Sequence, residues 1–419
     1  VNRIYDVIVL GAGAAGLMCA MEAGKRGRSV LVLERSDRAG RKILISGGGR
    51  CNFTNLHAGP ENFLSSNPHF AKSALARYTP ADFIRLVEKH RIPYHEKKLG
   101  QLFCDRAASD ITTMLEQECR GAGVEVQLNT QVVTVRKDSV RNLFLVQIAG
   151  PDVEAPKREA STNEVPMRVA LKAEAPAIEA HHLVVATGGL SIAKIGATGF
   201  GYELARQFGL NIETTRPALV PLALNRSDRR RWCDLAGVSL PVTASVPGPA
   251  KAPIFRENML VTHQGFSGPA ILQASSYWAC GGSISLDLAP GRHLIDELPM
   301  QSPRGAGDWK ALLRQVLPRR FADRWLETYP LGGTSNRDLA AAEQQLHAWE
   351  VKPEATEGYG KAEVTAGGVS TGELSARTME SRKVPGLFFV GEVVDVTGQL
   401  GGFNFQWAWA SGFCCGQVV

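Results

Sequence analysis

The stretch Ile4-Tyr-Asp-Val-Ile-Val-Leu-Gly11-Ala-Gly13-Ala-Ala-Gly16 decides the fold of this chain. A short β-branched run ends in closely spaced glycines, and a small-residue helical stretch follows to about Lys25. Ser29–Leu33 reads as a second buried strand ending at Glu34, which completes a βαβ unit of the expected ~30 residues. Each glycine has a physical task. The first permits the tight turn, the second lets backbone approach a pyrophosphate, and the third lets helix and strand pack. The phosphates then sit at the positive end of the helix. Glu34 is placed to accept the adenosine ribose hydroxyls, and its charge repels the extra phosphate of NADP.

Helical spacing returns at Ala81–His90 and Asp110–Arg120, the second closed by Gly121 and Gly123. Strands are expected at Val124–Leu128, Val132–Val135, Leu143–Ile148, Met167–Lys172 and Leu183–Ala186, with an exposed loop at 150–166. Residues 216–290 carry short alternating runs and many prolines, and 308–349 is helical in period. The α/β grammar resumes at Gly386-Leu-Phe-Phe-Val390, and a helix is expected from Asn404. The expected fold class is therefore α/β, a split Rossmann-like nucleotide-binding domain with inserted β-rich and helical subdomains. The boundaries read as 1–192 with 353–419 for the nucleotide domain, 193–290 for the β-rich insert and 291–352 for the helical one. No internal repeat is visible.

Glycine is in excess, 43 of 419 residues, and it clusters at 11–16, 47–49, 188–201, 367–372 and 398–402. Clustering without period excludes collagen and low complexity and points to several close backbone approaches to a ligand. A nicotinamide enzyme needs only the first βαβ unit, whereas an extended flavin nucleotide draws on later segments. Those segments are present. Arg41-Lys42-Ile-Leu-Ile-Ser46-Gly47-Gly48-Gly49-Arg50-Cys51-Asn52 sets three glycines between basic residues. Thr187-Gly188-Gly189 and Gly391-Glu392 follow buried strands, where open α/β sheets bind ligands. Glu392 is a candidate for a ribityl hydroxyl. Gly401-Gly402-Phe403-Asn404 starts a helix that can face the pyrimidine end of a flavin.

Gly40 through Asn55, Glu257 through His263, Ser267 through Ala270, Val364-Thr-Ala-Gly-Gly-Val369, Thr378 through Ser381 and Gly401 through Ala408 together resemble the bacterial YhiN/BaiN flavoproteins, also labelled the aminoacetone oxidase family. The resemblance runs from about residue 4 to 413. It implies FAD, a split Rossmann-like domain, and inserted β-barrel and helical domains. With it come the remaining expected cofactor positions: Ala14, Ala15 and Gly16 near the pyrophosphate, Arg35 at the adenosine, Val133 through its backbone to adenine, and Gly40 beside the basic loop. One departure stands out: the family's Ser-x-Pro step before Gly196 is Ser191-Ile192-Ala193 here, which loosens that loop. Gly265, Gly268, Gly367 and Gly368 match the family without a physical role legible in the sequence.

The catalytic candidates are His263 as proton donor, Lys42 as a charge stabiliser for reduced flavin or phosphate, and Cys51 in the glycine loop. The eight cysteines contain no C-x-x-C pair, which argues against a dithiol relay, a disulfide framework and a zinc site; a reduced, cytoplasmic protein without metal is expected. No run is long and apolar enough to span a membrane. Gly196-Ala-Thr-Gly199-Phe-Gly201 has the wrong spacing for a second fingerprint, so NAD(P)H is expected only as a transient donor, if at all. A net charge of +6 is too dilute to mark a dedicated nucleic-acid binder, and Arg226-Ser-Asp-Arg-Arg-Arg-Trp232 reads first as a solvated turn. The leading expectation is an FAD-dependent oxidoreductase acting on a small organic substrate. The alternatives are an RNA-binding flavoprotein related to tRNA-modifying enzymes and a non-catalytic flavin redox sensor. The oligomeric state is not legible.

Overall fold

The computed structural model describes residues 3–149, 177–248, 253–298 and 305–419. The expected loop at 150–166 and strand at Met167–Lys172 lie outside the described residues. The chain forms two compact units, one of residues 1–216 with 364–419, the other of 217–363.

The first unit is built on a sheet in the order Glu125–Gln127, Val30–Leu33, Ile4–Leu10, Ala177–Val185, Leu143–Ile148, Val132–Asp138, with Leu387–Phe389 also paired to Ala177–Val185. The first four strands and Leu387–Phe389 run parallel; the two hairpin strands are antiparallel. The parallel strands are almost continuously apolar because both of their faces are covered. The fingerprint helix, Ala14–Lys25, packs on the helix Phe403–Gly416 with very small separation. A Cβ on Gly412 would lie 2.5 Å from the carbonyl oxygen of Ala15, and one on Gly416 would lie 2.7 Å from that of Cys19.

The helix Phe200–Gln207 and the strand Ile212–Ala218 group with this unit, although the sequence texture changes at 193. The reason is that Ile212–Ala218 pairs with the distant strand Val364–Val369. Gly367 and Gly368 permit that approach: side chains there would meet Thr214 O at 2.3 Å and Val393 O at 2.6 Å.

The second unit is a seven-stranded antiparallel sheet running from Trp349–Val351 to Ala355–Thr356. The helices Ala306–Val316, Arg319–Thr328 and Asn336–His347 share one core with that sheet, built around Trp232, Trp309, Phe321, Trp325 and Trp349. The β-rich and helical stretches thus form one folded body. Its closest backbone approach is Gly265, where a Cβ would lie 2.2 Å from Leu222 O.

One charge cluster, centred on the buried Glu118, braces three helix ends of the first unit. Glu118 receives Lys25 at 3.0 Å, Lys89 at 2.6 Å and His90 Nε2 at 2.7 Å. Burial works to raise its pKa, but the hydrogen bonds from Lys89, His90 and Lys25 outweigh this and hold the carboxyl at about 2, against an ordinary value of 4.5. A carboxylate whose folded pKa is depressed contributes stability above its unfolded pKa and loses it as pH falls toward the folded one. The wild type is therefore expected to lose about 1–2 kcal/mol between pH ~4.5 and ~2 that Glu118→Gln does not lose, measured as melting temperature against pH.

Candidate active site

Register brings four strand ends to one edge of the sheet. Leu10 is level with Leu33 and with Val185, and Val185 with Phe389. Directly beyond them stand Gly11–Gly16, Glu34, Thr187–Gly189 and Gly391–Glu392. This is the carboxyl edge at which open α/β sheets hold ligands.

The three fingerprint glycines differ in their surroundings. A Cβ on Gly11 (φ +106°) would lie 2.6 Å from Ala186 O, and one on Gly16 would lie 2.0 Å from Gly11 O. Gly13 has no chain atom within 4 Å of that position. The second glycine alone faces open space, as a backbone that approaches a pyrophosphate must. Gly13 also caps the helix without a side-chain bond, leaving Ala14 and Ala15 at its first turn. Glu34 is fixed by two backbone donors, Ala12 N to Oε2 and Ser36 N to Oε1, each 2.8 Å. Arg35 is exposed beside it. Val133 falls at a β-bulge, where the pairing jumps from Val132–Ile148 to Thr134–Gln147. A bulged residue is left out of the ladder, so its backbone is available to a ligand.

Gly40 N donates to Ala12 O at 2.8 Å and lays the basic loop beside the fingerprint. Arg41 is half-buried near Gly196, Ser46 Oγ bonds back to Ile43 O at 2.7 Å, and Arg50 is exposed. Gly47, Gly48 and Gly49 all take left-handed backbone, with φ of 57°, 67° and 84°. A Cβ on Gly402 would lie 2.9 Å from Asn52 Oδ1, and Asn55 Nδ2 donates to Gly401 O at 2.9 Å. The start of the C-terminal helix thus meets the glycine loop. Two residues of that turn serve the chain itself: Phe403 is buried edge-on to Phe63, and the Asn404 amide is engaged by the backbone of Gly398 and Gln399.

Lys42 and Glu392 form one half-buried ion pair. Lys42 Nζ lies 2.6 Å from Glu392 Oε2 and donates to Ser191 Oγ at 2.7 Å. Glu392 Oε1 accepts from Thr365 N at 2.9 Å and Ser191 Oγ at 3.0 Å. Burial works to raise the Glu392 pKa; the Lys42 charge, with these hydrogen bonds, brings it below the ordinary carboxylate value. Lys42 therefore spends its charge on Glu392. Thr365 and Ser191 were not among the expected site residues, although both stand in or beside segments that resemble the family. Ile192, where the family carries its loop step, sits at φ +58°, an uncommon state for a β-branched side chain.

One catalytic expectation changes. Cys51 is completely buried and burial pushes its thiol far up, so it stays protonated and inaccessible rather than acting as a thiolate. His263 is an exposed residue of the second unit, on the turn that joins Phe255–Val261 to Gly265–Ser267. Of the eight cysteines only Cys280 is exposed. Native protein treated with iodoacetamide should gain one label, at Cys280, by peptide mass spectrometry; labelling of Cys51 at a comparable rate would contradict the burial described.

Among the described residues no cluster of His, Cys, Asp or Glu is arranged to hold a metal ion, and no helix is long and apolar enough to cross a membrane. The buried hydroxyl of Thr187 has no hydrogen-bond partner in the chain. With the open face at Gly13, the anchored Glu34 and the bulge at Val133, it fits an FAD laid along this edge.

Three relatives match essentially the whole chain. It is 46% identical over 421 residues to "Ribosomal RNA dihydrouridine synthase" of Escherichia coli (strain K12), covering 99% of this chain and 97% of that protein. It is 42% identical over 426 residues to a protein of the same name from Haemophilus influenzae, covering 100% and 99%. It is 27% identical over 445 residues to "3-dehydro-bile acid delta(4,6)-reductase" of Clostridium scindens, covering 100% and 99%. The family model described as "HI0933-like protein Rossmann domain" matches residues 5–418. The chain belongs to this HI0933-like family and is an FAD-dependent oxidoreductase.

Proposed function

We propose that this enzyme reduces a carbon–carbon double bond conjugated to a carbonyl, and that its substrate is a uracil base of ribosomal RNA. What carries the reading is the 46% identity, over nearly the full length of both chains, to a protein named for forming dihydrouridine in ribosomal RNA. The relative named as a bile acid reductase supports the same bond chemistry, because a delta(4,6) dienone and a uracil both present a double bond conjugated to a carbonyl. When bound and reduced by the electron donor, FAD would supply a hydride for the carbon β to the carbonyl, with a proton added at the α carbon.

The chain's own residues hold and orient. Gly11, Gly13, Ala14, Ala15 and Gly16 would face the pyrophosphate; Glu34, Arg35 and the Val133 backbone the adenosine; and Gly40 to Asn52 the phosphates and ring. Thr187, Gly188, Gly189 and Gly391 would line the ribityl side, with Gly401 and Gly402 at the pyrimidine end. Lys42 and Glu392 would fix the wall between the glycine loop and the last parallel strand. NADH or NADPH is proposed to bind transiently as the electron source.

The test is anaerobic incubation of the flavin-loaded enzyme with NADH or NADPH and ribosomal RNA transcribed in vitro. A two-mass-unit gain on one uridine, read by nuclease digestion and mass spectrometry, is expected. Unmodified RNA alongside turnover of a steroid dienone would instead establish the small-molecule reading that the Clostridium relative favours.

A further inference from the structure

We propose that the arginine face of the second unit, formed by Arg226, Arg230 and Arg231 with Arg324, binds the phosphate backbone of the RNA substrate; this rests on the ribosomal RNA reading above. The helix Arg226–Trp232 is anchored through Trp232, which is buried and stacked on Phe321 with ring centroids 5.3 Å apart. An aromatic next to a basic run can serve as a base-stacking platform, but this one is spent on the core. Its anchoring leaves Arg226, Arg230 and Arg231 exposed around an open basin of about 660 Å³, completed by Ser227, Arg324 and Glu327.

The charges in the basin do not cancel. Asp234 and Glu327 are both taken by Arg324, at 2.7 Å and 3.1 Å. Asp228 pairs with Arg231 at 3.5 Å and receives the Asn225 amide at 2.7 Å. Asp323 is held by Arg314 at 2.7 Å. Among the described residues no ion-pair partner reaches Arg226 or Arg230. These two guanidiniums are solvated, on a fixed helix, and planar donors of this kind suit phosphate oxygens.

The surroundings favour a polyanion over other ligands. None of the large exposed apolar side chains lies on either helix of the basin, so the face lacks the apolar edge that an anionic membrane surface would engage. The arginines line an open surface rather than an enclosed pocket, which suits an extended phosphate chain. With no exposed aromatic in the set and its arginines on an open face suited to phosphate, the contact should depend weakly on sequence and strongly on salt.

The experiment measures filter binding of flavin-loaded full chain to in vitro-transcribed ribosomal RNA, from about 50 to 400 mM KCl. Arg226→Ala/Arg230→Ala should weaken binding by about 10-fold or more at low salt and reduce the slope of log K against log salt by about 1.5–2. Arg226→Glu/Arg230→Glu should weaken it further, and Arg226→Lys/Arg230→Lys should restore most of it. Flavin content and melting temperature report that each variant is folded. If wild type binds and modifies the RNA while both substituted variants bind as tightly with the same salt slope, the arginine face is not the RNA surface and only this inference falls. If wild type neither binds nor modifies ribosomal RNA, the ribosomal RNA reading itself falls and takes this inference with it.

Discussion

Gly13→Val is expected to yield a folded protein that purifies without flavin, whereas Gly16→Val yields little folded protein. The two glycines lie three residues apart in the same motif, yet the space around them is opposite. A side chain at Gly13 meets nothing in the chain, and the backbone there is extended (φ −83°, ψ −173°), so valine is tolerated conformationally. The branched side chain would occupy the space that a pyrophosphate needs, and FAD affinity should fall by about 100-fold or more, roughly 3 kcal/mol. At Gly16 the first added carbon would lie 2.0 Å from Gly11 O, which forces the helix off the strand. Overpacking of that kind costs about 1–3 kcal/mol or more. The ratio of ~450 nm to 280 nm absorbance and a thermal melt separate the cases. A Gly13→Val protein that retains stoichiometric FAD would sink the assignment of this edge to the cofactor.

Lys42→Met should be the most destabilising single change in the glycine loop that leaves every glycine in place. It strands the Glu392 carboxylate, which is about four-fifths buried, with only the hydrogen bonds from Thr365 and Ser191. Removing one partner of a buried pair costs about 3–5 kcal/mol, and the partial exposure of Lys42 brings the expectation to about 2–4 kcal/mol. The pH dependence should reverse in sign. In the wild type the depressed Glu392 pKa contributes stability above the ordinary carboxylate range, lost as pH falls through the folded value. Without Lys42, burial dominates and the folded pKa rises, so stability is retained in acid and lost as pH increases through it. Lys42→Met/Glu392→Gln removes both charges and should recover about half of the loss. Denaturant melts of the wild type, Lys42→Met, Glu392→Gln and the double variant from pH 4 to 8 give the coupling directly. A coupling near zero would mean that the pair is held in place by its surroundings rather than holding them.

The nucleotide fold was legible because its signals are local: alternating apolar runs, glycines at fixed spacing and an acid at the end of the second strand. The same locality explains what was missed. Lys42 reads as a loop lysine until it meets Glu392, 350 positions away, and Ser191, 149 positions away. Glu118 gathers Lys25, Lys89 and His90 from helices whose amphipathic patterns say nothing of their mutual placement. The unit boundary could not be seen at 216 because Ile212–Ala218 finds its partner strand only beyond the whole insert. Asn404 carries the right residue type at a helix start, but its amide serves the preceding turn. Cys51 stands between Arg50 and Asn52 in a basic, glycine-rich loop and is fully buried.

The pairing of Gly412 with Ala15 and of Gly416 with Cys19 also governs when the protein can mature. The helix whose first turn would face the pyrophosphate is seated by the helix Phe403–Gly416, and Arg26 fastens the junction through the carbonyls of Gly416 and Val419, at 3.0 Å and 2.7 Å. The fingerprint at Gly11–Gly16 is synthesised well before the helix Phe403–Gly416 that supports it. An FAD site that depends on this seating would form only after Phe403–Gly416 has been made, and until then the nascent parallel strands expose the apolar faces that chaperones bind.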